Sequence, residues 1–130
     1  MVVIIREGVT MAFGPNISFL SYSPVEARGS FSNPIRIQRL IPNAPWGVFA
    51  VMNTPQENIF THVSLSGGGE ALLNGLYFSG MLSVRAGDVI VSSSSFTNAG
   101  ADDSFHMVSG KAIIEKNIFK DNYADSIDLD

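Results

Sequence analysis

The sequence predicts an all-β fold built as a solenoid, and three observations lead there. Short segments rich in Val, Ile and Phe, apolar at alternate positions, recur between clusters of Gly, Asn, Asp, Ser and Pro. No window of a dozen residues holds a helical period, and the one short candidate, "GEALLNG" at 69–75, is too brief to stand as a helix. Finally, the C-terminal part contains one phrase written twice. "ADDSFHM" at 101–107 is answered by "ADSIDLD" at 124–130, and "IVSSSSFTN" at 90–98 by "IIEKNIFKD" at 113–121.

Taken in order, "VVII" (2–5) and "VTMAFG" (9–14) are strands parted by "REG". "ISFLSY" (17–22) follows Pro-Asn, and "PIRIQRL" (34–40) follows a Gly/Ser/Asn stretch. "WGVFAVM" (46–52) and "NIFTHVSL" (58–65) each follow a proline-bearing turn. "SGGGE" (66–70) is a loop between coils: no Lys-Ser/Thr pair and no helix follow it, so it is not a phosphate cradle. "GLYFSG" (75–80), "VIVSSSSF" (89–96), "SFHMV" (104–108), "AIIEKNIF" (112–119) and "SIDLD" (126–130) complete the set.

Setting Phe96 against Phe119 gives a period of about 23 residues, in the range of repeat architectures. In this register Val91 matches Ile114, Ser94 matches Asn117, and Phe105 with Met107 matches Ile127 with Leu129. Further back, Leu76 with Phe78 and Phe49 with Val51 fit the same inward positions, with turns absorbing the extra residues. Each pair is apolar–x–apolar, so both side chains face the same way from a strand. Stacking then builds two columns: Phe49, Leu76, Phe105, Ile127 and Val51, Phe78, Met107, Leu129. One coil cannot bury these residues, whereas a stack can. Trp46 is expected to close a corner over the core. "MVVIIREG" is expected to close the first coil as an irregular segment, with Arg6 and Glu7 outward. "SIDLD" has no shield beyond it, so an open coil end is expected to make the protein a homo-oligomer.

A chain of 130 residues is a single domain (1–130) or a fragment of a longer solenoid. With 45% hydrophobic and 15% charged residues it belongs to the folded class, and its longest apolar runs are too short for membrane insertion. No signal peptide is visible at "MVVIIREG". The absence of cysteine excludes disulfides, zinc-thiolate sites and thiol catalysis. The net charge of −4 sits entirely after residue 100, because the first hundred residues carry five basic and five acidic side chains. No basic stripe tracks phosphates, so nucleic acid is not an expected partner.

At this point the chain resembles right-handed parallel β-helix repeat proteins of the bacterial surface and secreted type, whose fold the polysaccharide lyases and polygalacturonases share. The opening coils "IREGVTMAFGPNISFLSYSPVEARGSFSNPIRIQ" and "APWGVFAV" carry the likeness, as does the repeat phrase "AIIEKNIFKDNYADSIDLD", with Asn117 where such repeats place a stacked asparagine. Its upstream matches, Ser94 and then Val63, depart from a continuous ladder. The resemblance implies a right-handed parallel β-helix of about four to five coils, an extracellular or cell-surface location, and a polysaccharide as partner. It specifies coils, not chemistry.

"GADDSFHMVSG" is similar to the adjacent-aspartate motif of polygalacturonase-like glycosidases, so Asp102 and Asp103 are candidate catalytic residues. Sugar cleavage needs two carboxylates on one groove, one protonated and one not. The pattern stops short of that: Asn74 is expected one coil earlier where an aspartate is needed, and "YADSIDL" has no histidine motif. The competing reading makes Asp103 and Asp125 turn residues. His106 lies between inward Phe105 and Met107, so it should point outward in the column of Asp128, either as an acid–base couple or as a surface contact. His62 has no second imidazole near it. Asp125, Asp128 and Asp130 are oxygen ligands of the kind Ca²⁺ takes, but without an EF-hand or glycine-rich nonapeptide spacing. Tyr77 is expected on the outer face with His106, where a sugar ring could stack.

Three function classes follow. The first is a non-catalytic structural or binding β-helix module with carbohydrate as ligand. The second is a polysaccharide-acting glycosidase, lyase or epimerase using Asp102, Asp103, His106 and Asp128. The third is a self-assembling β-helix. The broken aspartate pattern weighs against an enzyme.

Overall fold

The computed structural model describes residues 1–130 and is a parallel β-helix of five coils without any helix. The first coil holds β1 (Val3–Arg6), β2 (Thr10–Phe13) and β3 (Phe19–Ser21), and the second holds β4 (Val25–Arg28), β5 (Ile35–Arg39) and β6 (Phe49–Met52). The third begins with β7 (Asn58–Thr61) and β8 (Val63–Ser66), is interrupted by β9 (Ala71–Leu73) and β10 (Leu76–Phe78), and resumes with β11 (Gly80–Arg85). β12 (Val89–Ser92), β13 (Ser95–Thr97) and β14 (Asp103–Val108) make the fourth coil; β15 (Ala112–Glu115), β16 (Ile118–Lys120) and β17 (Asp125–Leu129) make the fifth. The first, second and third strands of successive coils pair into three parallel sheets, here A, B and C.

Three columns of left-handed residues turn the corners. Asn53, Ala86 and Ser109 stand between sheets C and A, His62, Ser93 and Lys116 between A and B, and Gly67, Asn98 and Asp121 between B and C. Their φ values run from 50° to 78°, a conformation that costs non-glycine residues about 1–2 kcal/mol. The corners are held by the coil that follows: Ala86 N–H donates to Val108 O at 2.8 Å and Ser93 N–H to Glu115 O at 3.1 Å.

The predicted stacking holds where the repeat is regular. Phe96 pairs with Phe119, Val91 with Ile114, Phe105 with Ile127 and Met107 with Leu129. The Phe96 and Phe119 rings stack at 4.8 Å, and in the first two coils Phe19, which the repeat did not mark, stacks on Phe49 at 4.5 Å. In the third coil the expectation fails. The inward pair is Leu82 and Val84, not Leu76 and Phe78. Leu76 and Phe78 belong to an antiparallel hairpin with β9, turned by Asn74 (φ 49°) and Gly75 (φ 78°). Both turn residues have positive φ, as the tightest right-twisted hairpin turn requires. The strong local hairpin signal "LLNGLYF" drew the register away from "GMLSVR". The strand expected at "VVII" is present as Val3–Arg6, but it pairs regularly with β4, so the first segment is a rung of the stack and not an irregular closing segment.

The core runs through the inside of the coils, with Trp46, Phe49, Phe60, Phe96 and Phe105 essentially without exposure. Trp46 does close a corner, packing on Phe13 and donating its indole N–H to Ser66 O at 2.8 Å. Buried Asn58 sits in an inner column; its Oδ1 accepts Val25 N–H at 3.0 Å and its Nδ2 donates to Thr54 Oγ1 at 2.8 Å and Asp88 O at 3.0 Å. Asn117 reaches back one coil, accepting Ser94 N–H and donating to Val91 O, both at 2.9 Å. Ser94 does a shorter version of the same task, accepting Val63 N–H at 3.1 Å. Asn122 repeats the pattern against Ala99 and Phe96. Outside sheet C the hairpin covers Leu20, Val48, Ala50 and Met52, a second small core. The outer face of sheet C is therefore apolar and covered in the early coils and polar in the last two.

Candidate functional site

The polar end of that face brings the sequence candidates together. Outward positions across sheet C run Leu20, Ala50, Ser83, His106 and Asp128. A break in alternation adds Asp103 to them. The pairing skips Met81, Ser104 and Ser126, Met81 turns into the core, and Ser104 is fully buried. Asp103 consequently faces the same side as His106 although three positions separate them. Ser104 Oγ is left buried without a hydrogen-bond partner, the cost of that reversal.

The coil before Asp102 and Asp103 presents Ser79 and Gly80, not Asn74, which turns the hairpin. A Cβ on Gly80 would come within 2.8 Å of the His106 backbone N and Cβ, so only glycine lets the histidine lie this close. Ser79 Oγ donates to Asp103 Oδ2 at 2.8 Å and lies 3.0 Å from His106 Nδ1. His106 Nε2 is 2.9 Å from Asp130 Oδ2 and 3.6 Å from Asp128 Oδ2. The imidazole is thus engaged on both nitrogens, and its side chain is 14% exposed.

Asp103 is only 5% exposed, and burial pushes its carboxyl above the usual range. The Ser79 hydroxyl and His106 pull the other way, while Asp128 and Asp125 add to the rise. Two proton arrangements satisfy the chain of contacts. In one, Asp103 is ionised, Ser79 donates to it, and both ring nitrogens donate. In the other, Asp103 carries the proton and donates to Ser79 Oγ, which donates to Nδ1, leaving the Nε2–H on Asp130. Ser79 can therefore pass one proton between Asp103 and His106 without moving a heavy atom. It was not among the candidates because its coil was read in the wrong register.

The remaining candidates scatter. Asp102 is exposed, and its backbone O takes the Asp125 N–H at 2.7 Å. Asp125 shares the column of Asp103 but is exposed, so neither aspartate acts as the backbone-capping turn residue that the sequence suggested as the bland alternative. Tyr77 is on the hairpin, not on sheet C beside His106. Its hydroxyl donates to the Glu70 carboxylate, which with burial pushes its pKa up to about 12, Asp102 and Asp103 adding to the effect. The residue as a whole is 49% exposed. His62 stands at the A/B corner in a separate depression of about 240 Å³ with Phe31, Lys116, Ser64, Ser93 and Ser95. Phe31 there is 92% exposed, an aromatic that no periodicity marks.

Donor atoms of Asp103, His106 and Asp128 all lie within 4.8 Å of one another. These are the residues that could hold a divalent metal. An imidazole between carboxylates suits Zn²⁺ or a similar borderline cation better than Ca²⁺, which takes oxygens. Of the three aspartates weighed as oxygen ligands for Ca²⁺, Asp128 and Asp130 turn to His106 and Asp125 is exposed. No family model matches the chain, and comparison with curated proteins and with solved structures gives no significant match.

Proposed function

We propose that the chain is a non-catalytic β-helix binding module whose ligand is a carbohydrate, held on the outer face of sheet C. One observation carries this reading: the acidic cluster is satisfied internally. Asp103 is buried against Ser79, and both imidazole nitrogens of His106 are engaged. What remains to meet a ligand is a fixed set of acceptors, Asp128 and Asp130 with side chains 44% and 60% exposed, and, on the hairpin, the half-exposed Tyr77, near enough to Asp102 and Asp103 to feel their charges. Carboxylates accept from neighbouring sugar hydroxyls, and a tyrosine face packs on a pyranose ring.

Affinity electrophoresis through gels containing neutral or acidic polysaccharides tests this. Retardation by one polymer is expected, lost in Tyr77→Ala and Asp130→Ala, with no new reducing ends after prolonged incubation. Migration unchanged in every polymer would remove carbohydrate as the ligand class.

A second reading, a polysaccharide-cleaving enzyme, is favoured by the raised pKa of Asp103 within 4.8 Å of Asp128. Release of reducing ends or unsaturated sugars that stops in Asp103→Asn would establish it instead.

A further inference from the structure

The outer face of sheet A carries an unpartnered apolar ridge with a charge gradient beside it. One column reads Ile4, Glu26, Ile59, Ile90, Ile113, and the next reads Arg6, Arg28, Thr61, Ser92, Glu115. Ile4 is 59% exposed and Ile113 51%, with Ile59 and Ile90 half-buried between them. The other outer faces differ: sheet B presents Thr10, Arg36, Ser64 and Ser95 in one column, with a single exposed isoleucine, Ile118, at its last coil, and sheet C is covered by the hairpin or carries the His106 cluster. At the first two coils the sheet A face sinks into a depression of about 420 Å³ lined by Ile4, Arg6, Glu7, Glu26 and Arg28. At the fifth coil the same columns stand out as Ile113 and Glu115, both exposed.

We propose that this face docks a second copy of the chain, face to face, about a two-fold axis running along the strands of the third coil. The two solenoids then lie antiparallel, so the first coil of each meets the fifth coil of the other. Ile4 meets Ile113, Ile59 meets its own copy, and Glu115 of each chain meets Arg6 of the other at the depression, where Glu7 already accepts from Ser30 and Glu26 lies against Arg28. Glu26 comes opposite Ile90, and its charge is met within its own chain by Arg28 at 3.9 Å. The arrangement is isologous: two identical contacts, each joining apolar knob to hollow and carboxylate to guanidinium. Its size sets its strength. Five strands of four residues present a face of about 24 by 13 Å, about 300 Å² before side-chain relief. That is below the roughly 800 Å² per partner of a stable interface, so the dimer forms only as concentration rises.

Sedimentation across a wide concentration range at low salt tests this, with circular dichroism confirming that each variant is folded. The weight-average mass is expected to rise from 14.0 kDa toward that of a dimer. Arg6→Glu and Glu115→Arg should each weaken association about tenfold or more, and the double variant should restore it. Ile59→Lys should abolish it, and added salt should weaken it. The proposal is overturned if the chain stays monomeric throughout, if the double charge exchange fails to rescue, or if Ile59→Lys leaves association intact. It is equally overturned if association strengthens with salt, the behaviour expected of a contact between acidic coil ends.

Discussion

The step from the fourth coil to the fifth and the step from the second coil to the third use the same three sheets, yet the chain travels them differently. In the later step all three strands of the fourth coil, Val89–Ser92, Ser95–Thr97 and Asp103–Val108, find partners one short repeat on, and the links between them are short. The earlier step carries a loop holding Trp46 and a buried asparagine, and its third coil is then interrupted by a whole hairpin. From Asn53 onward the corners are common, with left-handed columns at Asn53, Ala86 and Ser109 and at His62, Ser93 and Lys116, whereas the second coil itself turns from sheet A to B and from B to C without such a residue. The difference teaches what the solenoid requires. Sheets must stay in register through every coil, while the corners and the length between strands are free to vary, because lengthening a surface connection adds little closure entropy.

The comparison is broken most directly at the core. Phe105 has no exposure and lies between the third and fifth coils, whereas Ile127 in the same column is 38% exposed. Phe105→Ala is expected to cost about 3–5 kcal/mol and Ile127→Ala about 1 kcal/mol. Urea melts of the two variants would separate them. Equal losses would mean that the fifth coil is packed as tightly as the interior.

A smaller effect sharpens the comparison at the asparagines. Asn58 is fully buried and serves Val25 N–H, Thr54 and Asp88 O, joining the second, third and fourth coils. Asn117 is partly buried and serves two groups of the coil before it. Asn58→Ala should therefore cost about 2–4 kcal/mol, because buried groups are left unpaired, and Asn117→Ala about 1 kcal/mol. Loss of amide protection at Val25 in the first variant and at Ser94 in the second, read by hydrogen exchange, would tie each cost to its bond. If Asn117→Ala proves the costlier, the regular coils depend on their asparagines more than the irregular ones do.

Those two steps also mark how far the sequence could be read. Phe96 over Phe119 and Phe105 over Ile127 were legible because equal spacing and like side chains recur together. Gly80–Arg85 was not, because "LLNGLYF" satisfies the same apolar–x–apolar pattern and nothing local distinguishes a hairpin from a rung. Val25–Arg28 was missed since "VEAR" is short and has only Val and Ala facing inward. Of the site, the neighbourhood of His106 and Asp128 followed from strand alternation. Ser79 and the inclusion of Asp103 did not, for they depend on a register set by the hairpin and on a reversal at Ser104 that spacing cannot encode. Corner residues as different as His62, Ser93 and Lys116 share a conformation, not a chemistry, so composition concealed them too.

The gentlest test concerns the outer side of the regular step, where two aspartates occupy one column. Asp125 is exposed, while Asp103 one coil earlier is buried and has its carboxyl raised by that burial, against the opposing pull of Ser79 and His106. A carboxyl with a raised folded-state pKa binds more protons in the native state than in the unfolded chain. Its contribution is therefore fully present below the ordinary aspartate range, near pH 4, and is lost as pH rises through the folded value. Asparagine can still accept the Ser79 hydroxyl but cannot ionise. Relative to the parent, Asp103→Asn should gain stability as pH climbs from about 3 to 7, levelling off once the native carboxyl is fully ionised. Asp125→Asn serves as the control in the same column. Urea melts at several pH values give the difference directly. A variant that loses ground to the parent with rising pH would show that the charged form of Asp103 is the one the fold favours, held there by His106 through Ser79.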